Sequence, residues 1–307
     1  MDINNKKSLI DKINKLKKEK NAIILAHCYQ NIEVDEVADF VGDSLGLSRL
    51  ASKTDAKIIL FLGVTFMAET AKILCPDKKV LIPNKKAGCD MADMLSIEQL
   101  REFKAKYPDI TTVCYINSTA EVKSEVDVCC TSSNAVQLVK SLKKDKILFL
   151  PDKNLGSWVA KNVPETEVIL YNGCCPIHDQ ITVEDIEKAK EEYPNAKILI
   201  HPECQNSVLD MADFIGSTTQ IVDYAEKSSS KQFIIVTEQG IVDRLIRDYP
   251  DKEFKLVSPK VCCPNMKTNH LEDILVALEN EEEEIIIDKK IADLAIKPIE
   301  KMLELSK

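Results

Sequence analysis

Cys89, Cys175 and Cys263 stand 86 and 88 residues apart, and each closes one copy of a degenerate threefold repeat. Equivalent positions of related domains converge on a pseudo-threefold axis, so the three thiols are expected at one point. Thiolates are soft ligands that select zinc, copper or iron–sulfur chemistry. A structural zinc or an electron-transfer cluster takes four protein ligands. Three leave one position open, which implies a Lewis acid that receives a substrate oxygen, an arrangement suited to a hydro-lyase type of reaction. The candidates are a [4Fe–4S] cluster with one non-cysteine iron and a three-cysteine zinc. Two of the three cysteines have an adjacent partner, Cys174 and Cys262. Register favours Cys263, which follows His201 by 62 residues as Cys89 follows His27. Spacing alone leaves Cys174 and Cys175 open.

The elements that must position these residues repeat with them. NAIILAHCYQ from residue 21, TTVCYINSTA from 111 and AKILIHPECQ from 196 each read as a short buried strand ending in polar groups. With His27, Tyr115 and His201 aligned, Tyr29, Asn117 and Glu203 fall in register two residues later, and Ser44, Ser132 and Thr218 seventeen residues later. The segments VADFVGDS, VDVCCTSS and MADFIGST agree between copies, as do the apolar runs KIILFLG, KILFLPD and QFIIVTE. Apolar runs separated by amphipathic stretches predict βα units with parallel strands. The fold class is therefore α/β, with three pseudo-threefold-related αβα domains, each with a small parallel sheet, around a central active site. Ligands gather at the carboxyl ends of such strands, where the in-register polar residues and the three cysteines lie. The expected domains are 1–108, with a leading helix over about 4–20, then 109–195 and 196–280. A tail over 281–307 holds an acidic turn read as solvated, a β-like IIID segment and a closing amphipathic helix.

Composition narrows the function. Of 307 residues 45% are hydrophobic, enough for packed cores, and no apolar run approaches the ~18 residues of a membrane span. The polar, lysine-rich first twenty residues predict no signal peptide. Eleven cysteines in that context predict a reduced, cytoplasmic protein with thiolate chemistry rather than a disulfide framework. A net charge of −9 argues against nucleic acid as a partner. Cys28, Cys75, Cys114, Cys129, Cys130 and Cys204 read as buried packing residues, as do Trp158 and the methionines. Serine or threonine after a strand is ordinarily a helix N-cap; threefold equivalence makes Ser44, Ser132 and Thr218 better read as ligand-binding groups at helix starts.

AHCYQ at 26–30, GDSLGLS at 42–48, GCDMAD at 88–93, YINS at 115–118, TSSNA at 131–135, CPIH at 175–178, HPE at 201–203, GST at 216–218 and CPNMK at 263–267 together resemble quinolinate synthases, the iron–sulfur enzymes of de novo NAD synthesis. The resemblance runs essentially end to end. It implies one [4Fe–4S] cluster per chain, held by Cys89, Cys175 and Cys263, and so resolves both cysteine pairs. It also implies condensation of iminosuccinate with dihydroxyacetone phosphate to give quinolinate, phosphate and water. The resemblance makes Tyr29 and Glu203 the acid/base pair, with His27 and His201 alongside. It leaves His27, Ser44, Tyr115, Asn117, Ser132, His178, His201, Glu203 and Thr218 to bind substrate; for Lys267 two roles stay open, packing and pairing at a helix start together with Met266, or a phosphate contact. Because the imine is unstable in water, transient contact with an L-aspartate oxidase is expected.

Other readings make different demands. Another [4Fe–4S] hydro-lyase acting on a small hydroxy acid would need arginine clamps on carboxylates, and arginine is absent from every motif. A non-enzymatic iron–sulfur sensor gives no reason for three in-register sets of acid/base and hydroxyl groups. A three-cysteine zinc protein would be colourless.

Overall fold

The computed structural model describes residues 3–306. Its strands are β1 (Ala22–His27), β2 (Phe40–Gly42), β3 (Ile58–Leu62), β4 (Lys79–Leu81), β5 (Thr111–Tyr115), β6 (Val128–Cys130), β7 (Lys146–Leu150), β8 (Glu167–Leu170), β9 (Lys197–Ile200), β10 (Phe214–Ile215), β11 (Gln232–Val236) and β12 (Glu253–Leu256). They form three four-stranded sheets in one order, β2-β1-β3-β4, β6-β5-β7-β8 and β10-β9-β11-β12. Every pairing within them is parallel. Helices cover both faces, so the inner strands are apolar throughout rather than alternating. IILFL of β3 is buried at all five positions.

In this order the chain leaves the first strand of each sheet in one direction and returns on its other side, which puts a crevice at the carboxyl ends of the two inner strands. His27 ends β1, Tyr115 ends β5 and His201 follows β9, so each crevice receives one of the aligned residues. An aspartate closes each copy in the same way. Asp39 accepts the Ile24 amide at 2.8 Å, Asp127 the Thr112 amide at 2.7 Å and Asp213 the Ile198 amide at 2.8 Å. These are the aspartates of VADF, VDVC and MADF, and they tie the segment before each sheet-edge strand to the central strand.

The first helix, Ile3–Glu19, begins a residue before its expected start and packs with Leu271–Asn280. Ile13, Leu271, Ile274 and Leu278 of these helices are fully buried against Ile24 and Leu60, so the segment following the third sheet covers the first. The closing helix Lys289–Leu305 forms as expected and lies across Ala120–Lys123, β6 and Thr65–Leu74, bridging the first two copies. Two expectations for the tail change. IIID forms no strand; the pairing is confined to its edge, where Glu284, just upstream, bridges Leu81 in antiparallel sense and the amide of its first residue, Ile285, donates to the Val80 carbonyl at 2.9 Å. The acidic turn is anchored rather than simply solvated: Glu281 pairs with Lys20 at 2.7 Å and Lys79 at 2.6 Å, and Glu284 with Lys72 at 3.4 Å. Lysines of the first copy outcompete water because the strand edge holds the turn against them. No helix among the described residues is long and apolar enough to cross a membrane.

The shared aspartate device has a measurable consequence. Asp127 accepts both the amide and the hydroxyl of Thr112, which is fully buried. Asp127→Ala leaves that buried donor unsatisfied and is expected to lower unfolding free energy by about 1–3 kcal/mol. Urea titration of the two proteins measures the difference.

Candidate active site

The three crevices open into one central cavity. His27, Tyr29, Ser44, Cys89, Tyr115, Asn117, Ser132, Cys175, His178, His201, Glu203, Thr218 and Cys263 all line it, so every residue singled out by alignment reaches the same space. Of the cysteine pairs, Cys175 and Cys263 face the cavity, while Cys174 and Cys262 are not among its lining residues. Cys28, Cys75, Cys114, Cys129, Cys130 and Cys204 are buried in packing.

Each cavity cysteine precedes a helical turn: Ala92–Met94 after Cys89, Pro176–Asp179 after Cys175 and Pro264–Lys267 after Cys263. Proline at the first turn of the latter two loses no hydrogen bond. Backbone N–H groups of these turns point at the sulfurs, from Met91 and Ala92 to Cys89, from His178 to Cys175, and from Asn265 and Met266 to Cys263. Burial pushes the Cys89 thiol up to about 12 and raises Cys175 and Cys263 too. Metal coordination deprotonates a thiol outright, and the amides stabilise the resulting thiolates. Around a single tetrahedral zinc, with Zn–S near 2.3 Å, sulfurs lie about 3.8 Å apart. Ligand atoms of Cys175, His178 and Glu203 lie within 4.8 Å of one another, so one of the three cavity thiols sits among further metal-competent groups. The donor set fits a [4Fe–4S] cluster held by three cysteines.

The remaining groups form a hydrogen-bonded wall. Glu203, 3% exposed, accepts from the Tyr115 hydroxyl and lies 2.9 Å from His178 Nδ1, which is itself hydrogen-bonded to Cys175 Sγ at 3.3 Å. Burial opposes ionisation of Glu203, and His178, His201 and Tyr115 outweigh it, holding the carboxyl down at about 2. Tyr29 and Tyr115 are raised well above the ordinary phenol value by burial and by Glu203, so both stay protonated donors. His27 and His201 are each lowered to about 3, chiefly by burial. Their Nδ1 atoms accept the amides of Tyr29 at 3.1 Å and Glu203 at 3.4 Å. Both imidazoles are therefore neutral with the proton on Nε2, and His201 Nε2 meets Ser132 Oγ at 3.2 Å.

Ser44, Ser132 and Thr218 sit at helix starts as expected, yet none caps its helix. Asp43 caps Ser44–Ala51, Asn134 precedes Ala135–Leu142 as its cap residue, and Ser217 caps Thr218–Lys227. No capping bond occupies their hydroxyls, and that of Ser132 meets His201 Nε2. Asn117 Oδ1 is buried without a partner, as a group reserved for a ligand would be. Of the two roles open to Lys267 the structure shows the pairing: its ammonium meets Glu238 at 3.0 Å and the Tyr29 carbonyl, and it is not among the residues lining the cavity.

A profile of the quinolinate synthetase A protein family matches residues 11–304. The chain belongs to that family. It is 50% identical to the quinolinate synthase of Alkaliphilus metalliredigens, over 98% of this chain and 99% of that protein. For the quinolinate synthase of Caldicellulosiruptor bescii the identity is 52%, over 97% and 98% respectively. For that of Aquifex aeolicus it is 51%, over 98% and 95%.

The family motifs leave three residues unflagged, Glu238 in the cavity lining and Asp152 and Thr237 outside it. Asp152, fully buried, accepts the Cys175 amide at 3.1 Å, and Glu238, also fully buried, accepts the Cys263 amide at 3.1 Å. Both cap the helix that follows, through Leu155 and Gly240. They are equivalent, each the second residue after its strand, and they end the runs KILFLPD and QFIIVTE; in the first copy the position is Val64. Comparing those run ends, rather than only their apolar letters, would have found them. The third is Thr237, fully buried between Tyr29 and His178. Gly240 lets the first and third copies meet, since a Cβ there would lie 2.9 Å from the Cys28 carbonyl oxygen and the Tyr29 Cα.

Neutral buried histidines make the fold acid-sensitive. Unfolded, His27 and His201 bind protons below about 6.5; folded, they do not until about 3. The unfolded state binds more protons across that window, so stability is full above pH 6.5 and falls as pH drops toward 3, by about 1.4 kcal/mol per unit for each histidine. Urea midpoints between pH 7.5 and about 5 are expected to decline, and His201→Asn is expected to flatten the slope by about one proton.

Proposed function

We propose that this chain is a quinolinate synthase that condenses iminosuccinate with dihydroxyacetone phosphate, releasing phosphate and water. The observation that carries the reading is the convergence of three ligand-competent cysteines and a hydrogen-bonded acid/base wall on one cavity, in a chain belonging to this family. Cys89, Cys175 and Cys263 hold the cluster. When bound, the cluster supplies a Lewis acid through its non-cysteine iron for the departure of substrate hydroxyls.

The protein's own groups handle protons and orientation. Glu203 is ionised and accepts hydrogen bonds, so it serves as the base. Tyr29 keeps its proton and faces Glu203 across the cavity, so it serves as the acid. His27 and His201 present neutral Nε2–H donors, which orient substrate oxygens without adding charge. Ser44, Ser132 and Thr218 offer hydroxyls at helix starts, where amides and hydroxyls together receive carboxylate or phosphate oxygens. Tyr115, Asn117 and His178 complete the pocket. A dicarboxylate can thus be bound by neutral donors, which explains how a site without a lining arginine or lysine takes an anionic substrate. L-aspartate oxidase, as the source of the unstable imine, is the expected transient partner, and the cytoplasm the expected compartment.

The test is anaerobic purification with iron and sulfide analysis, then incubation with both substrates while quinolinate is measured. Four irons per chain and product are expected; a cluster without product would redirect the search to small hydroxy acids. Cys89→Ala, Cys175→Ala and Cys263→Ala are each expected to lose the cluster, and Cys174→Ala and Cys262→Ala to keep it. Visible absorbance decides, and a cluster surviving any of the first three removes that cysteine as a ligand. Tyr29→Phe and Glu203→Gln are expected to keep the brown colour and lose turnover by about a hundredfold or more. Full activity in either would end its acid/base role.

A further inference from the structure

Three groups of the cavity wall offer three kinds of metal donor at close quarters: a thiol, an imidazole and a carboxylate. Ligand atoms of Cys175, His178 and Glu203 all lie within 4.8 Å of one another. His178 Nδ1 is 2.9 Å from Glu203 Oε2 and 3.3 Å from Cys175 Sγ. We propose that in the cluster-free chain Cys175, His178 and Glu203 form a mononuclear zinc site, and that zinc there and the iron–sulfur cluster exclude each other. The site itself needs only these three residues. The exclusion rests on the reading of Cys175 as a cluster ligand.

The spacing is close to what a single ion requires. Around a tetrahedral zinc, with Zn–S of about 2.3 Å and Zn–N and Zn–O of about 2.1 Å, sulfur lies about 3.5 Å from nitrogen and nitrogen about 3.4 Å from oxygen. The observed separations fall short of these by about half an ångström or less, so a small side-chain movement opens the set around an ion. Zinc accepts all three donor types, and three protein ligands leave it one open position. His178 and Glu203 are both almost completely buried, and all three residues face the cavity through which an ion would arrive.

Charge favours this donor set. One thiolate and one carboxylate cancel the charge of a divalent ion, and a neutral imidazole adds none, so the loaded site is electroneutral. That balance matters where no lysine or arginine is among the lining residues and a buried charge must be compensated. The supporting bonds are also in place. Glu203 Oε1 accepts from Tyr115, which leaves Oε2 for the ion. With Nδ1 on the ion the imidazole proton sits on Nε2, which has the Thr237 hydroxyl as its partner at 2.9 Å, the kind of outer bond that fixes a metal-bound histidine. Zinc in this place takes both a cluster ligand and the proposed base, so it blocks the site in two ways.

The test titrates the cluster-free full-length chain, reduced and anaerobic, with zinc alone and counts the metal retained after gel filtration. About one zinc per chain is expected. Cys175→Ala, His178→Asn and Glu203→Gln should each weaken binding by more than the about ten- to hundredfold that loss of a supporting hydrogen bond costs a metal site. Cys89→Ala and Cys263→Ala should leave it unchanged. No retained zinc in the wild type, loss of zinc in Cys89→Ala or Cys263→Ala, or its retention in both His178→Asn and Glu203→Gln would each overturn the proposal. Cobalt(II) in the wild-type chain gives a readout that needs no variant: the charge-transfer absorbance of one thiolate is expected, and that of three would assign the ion to the cysteines alone. Iron–sulfide reconstitution of zinc-loaded protein should be blocked until the zinc is chelated, and full reconstitution with zinc retained would overturn the exclusion. A wild-type protein that carries a cluster and makes no quinolinate would sink the functional reading, while the zinc count would still decide this site.

Discussion

A carboxylate buried almost completely at the junction of three domains sets the terms for everything around it. Removing an ion from water is tolerable only when donors replace the lost hydration. Glu203 obtains them from the second copy, through Tyr115 and His178, while its own backbone is held by His201 and by Asn154. The charge thus requires the second and third copies to be docked. The first copy is drawn in by related means: Arg244 of the third copy donates to the Cys28 and Gln30 carbonyls and pairs with Asp35. The site exists only in the assembled state, and its polar satisfaction is part of what assembles it.

The threefold repeat explains the economy of this arrangement. Three crevices at the carboxyl ends of three equivalent sheets meet, so one ancestral pattern of strand, polar pair and helix start can line a whole cavity. Function depends on the departures from symmetry. The residue two after His27, Tyr115 and His201 is a phenol, an amide or a carboxylate, so equivalent positions carry three different polar groups. Buried carboxylates brace the cysteine loops of the second and third copies, and an apolar valine stands in the first. A symmetric trio of thiols is thereby set in an asymmetric field.

The proposed binding of an anion rests on the same construction, with no lysine or arginine among the described residues that line the cavity. Helix starts present amides and hydroxyls, and the capping bonds that could otherwise occupy Ser44 and Thr218 are made by Asp43 and Ser217. Histidines kept neutral by burial add donors and no charge. An acidic protein can in this way offer a local site that favours carboxylates.

The letters of the chain by themselves determined the repeat, the parallel βα character, the convergence of Tyr29, Glu203 and the cysteines, and the family. Those properties were legible because period and spacing survive in one dimension: equivalent strands share apolar runs, and equivalent ends share polar residues. Only the tertiary structure decided which groups touch across copies. Thr237 lies 208 residues from Tyr29 and 59 from His178, and nothing in local pattern marks a threonine that joins them. Lys267 was open between pairing and a phosphate contact, and the proximity of Glu238 and the Tyr29 carbonyl is what occupies its ammonium. The covering of the first sheet by Leu271–Asn280 and the anchoring of the acidic turn were hidden for the same reason. Burial, proton position and hydrogen-bond direction depend on what the far parts of the chain place nearby, and sequence distance carries no record of that.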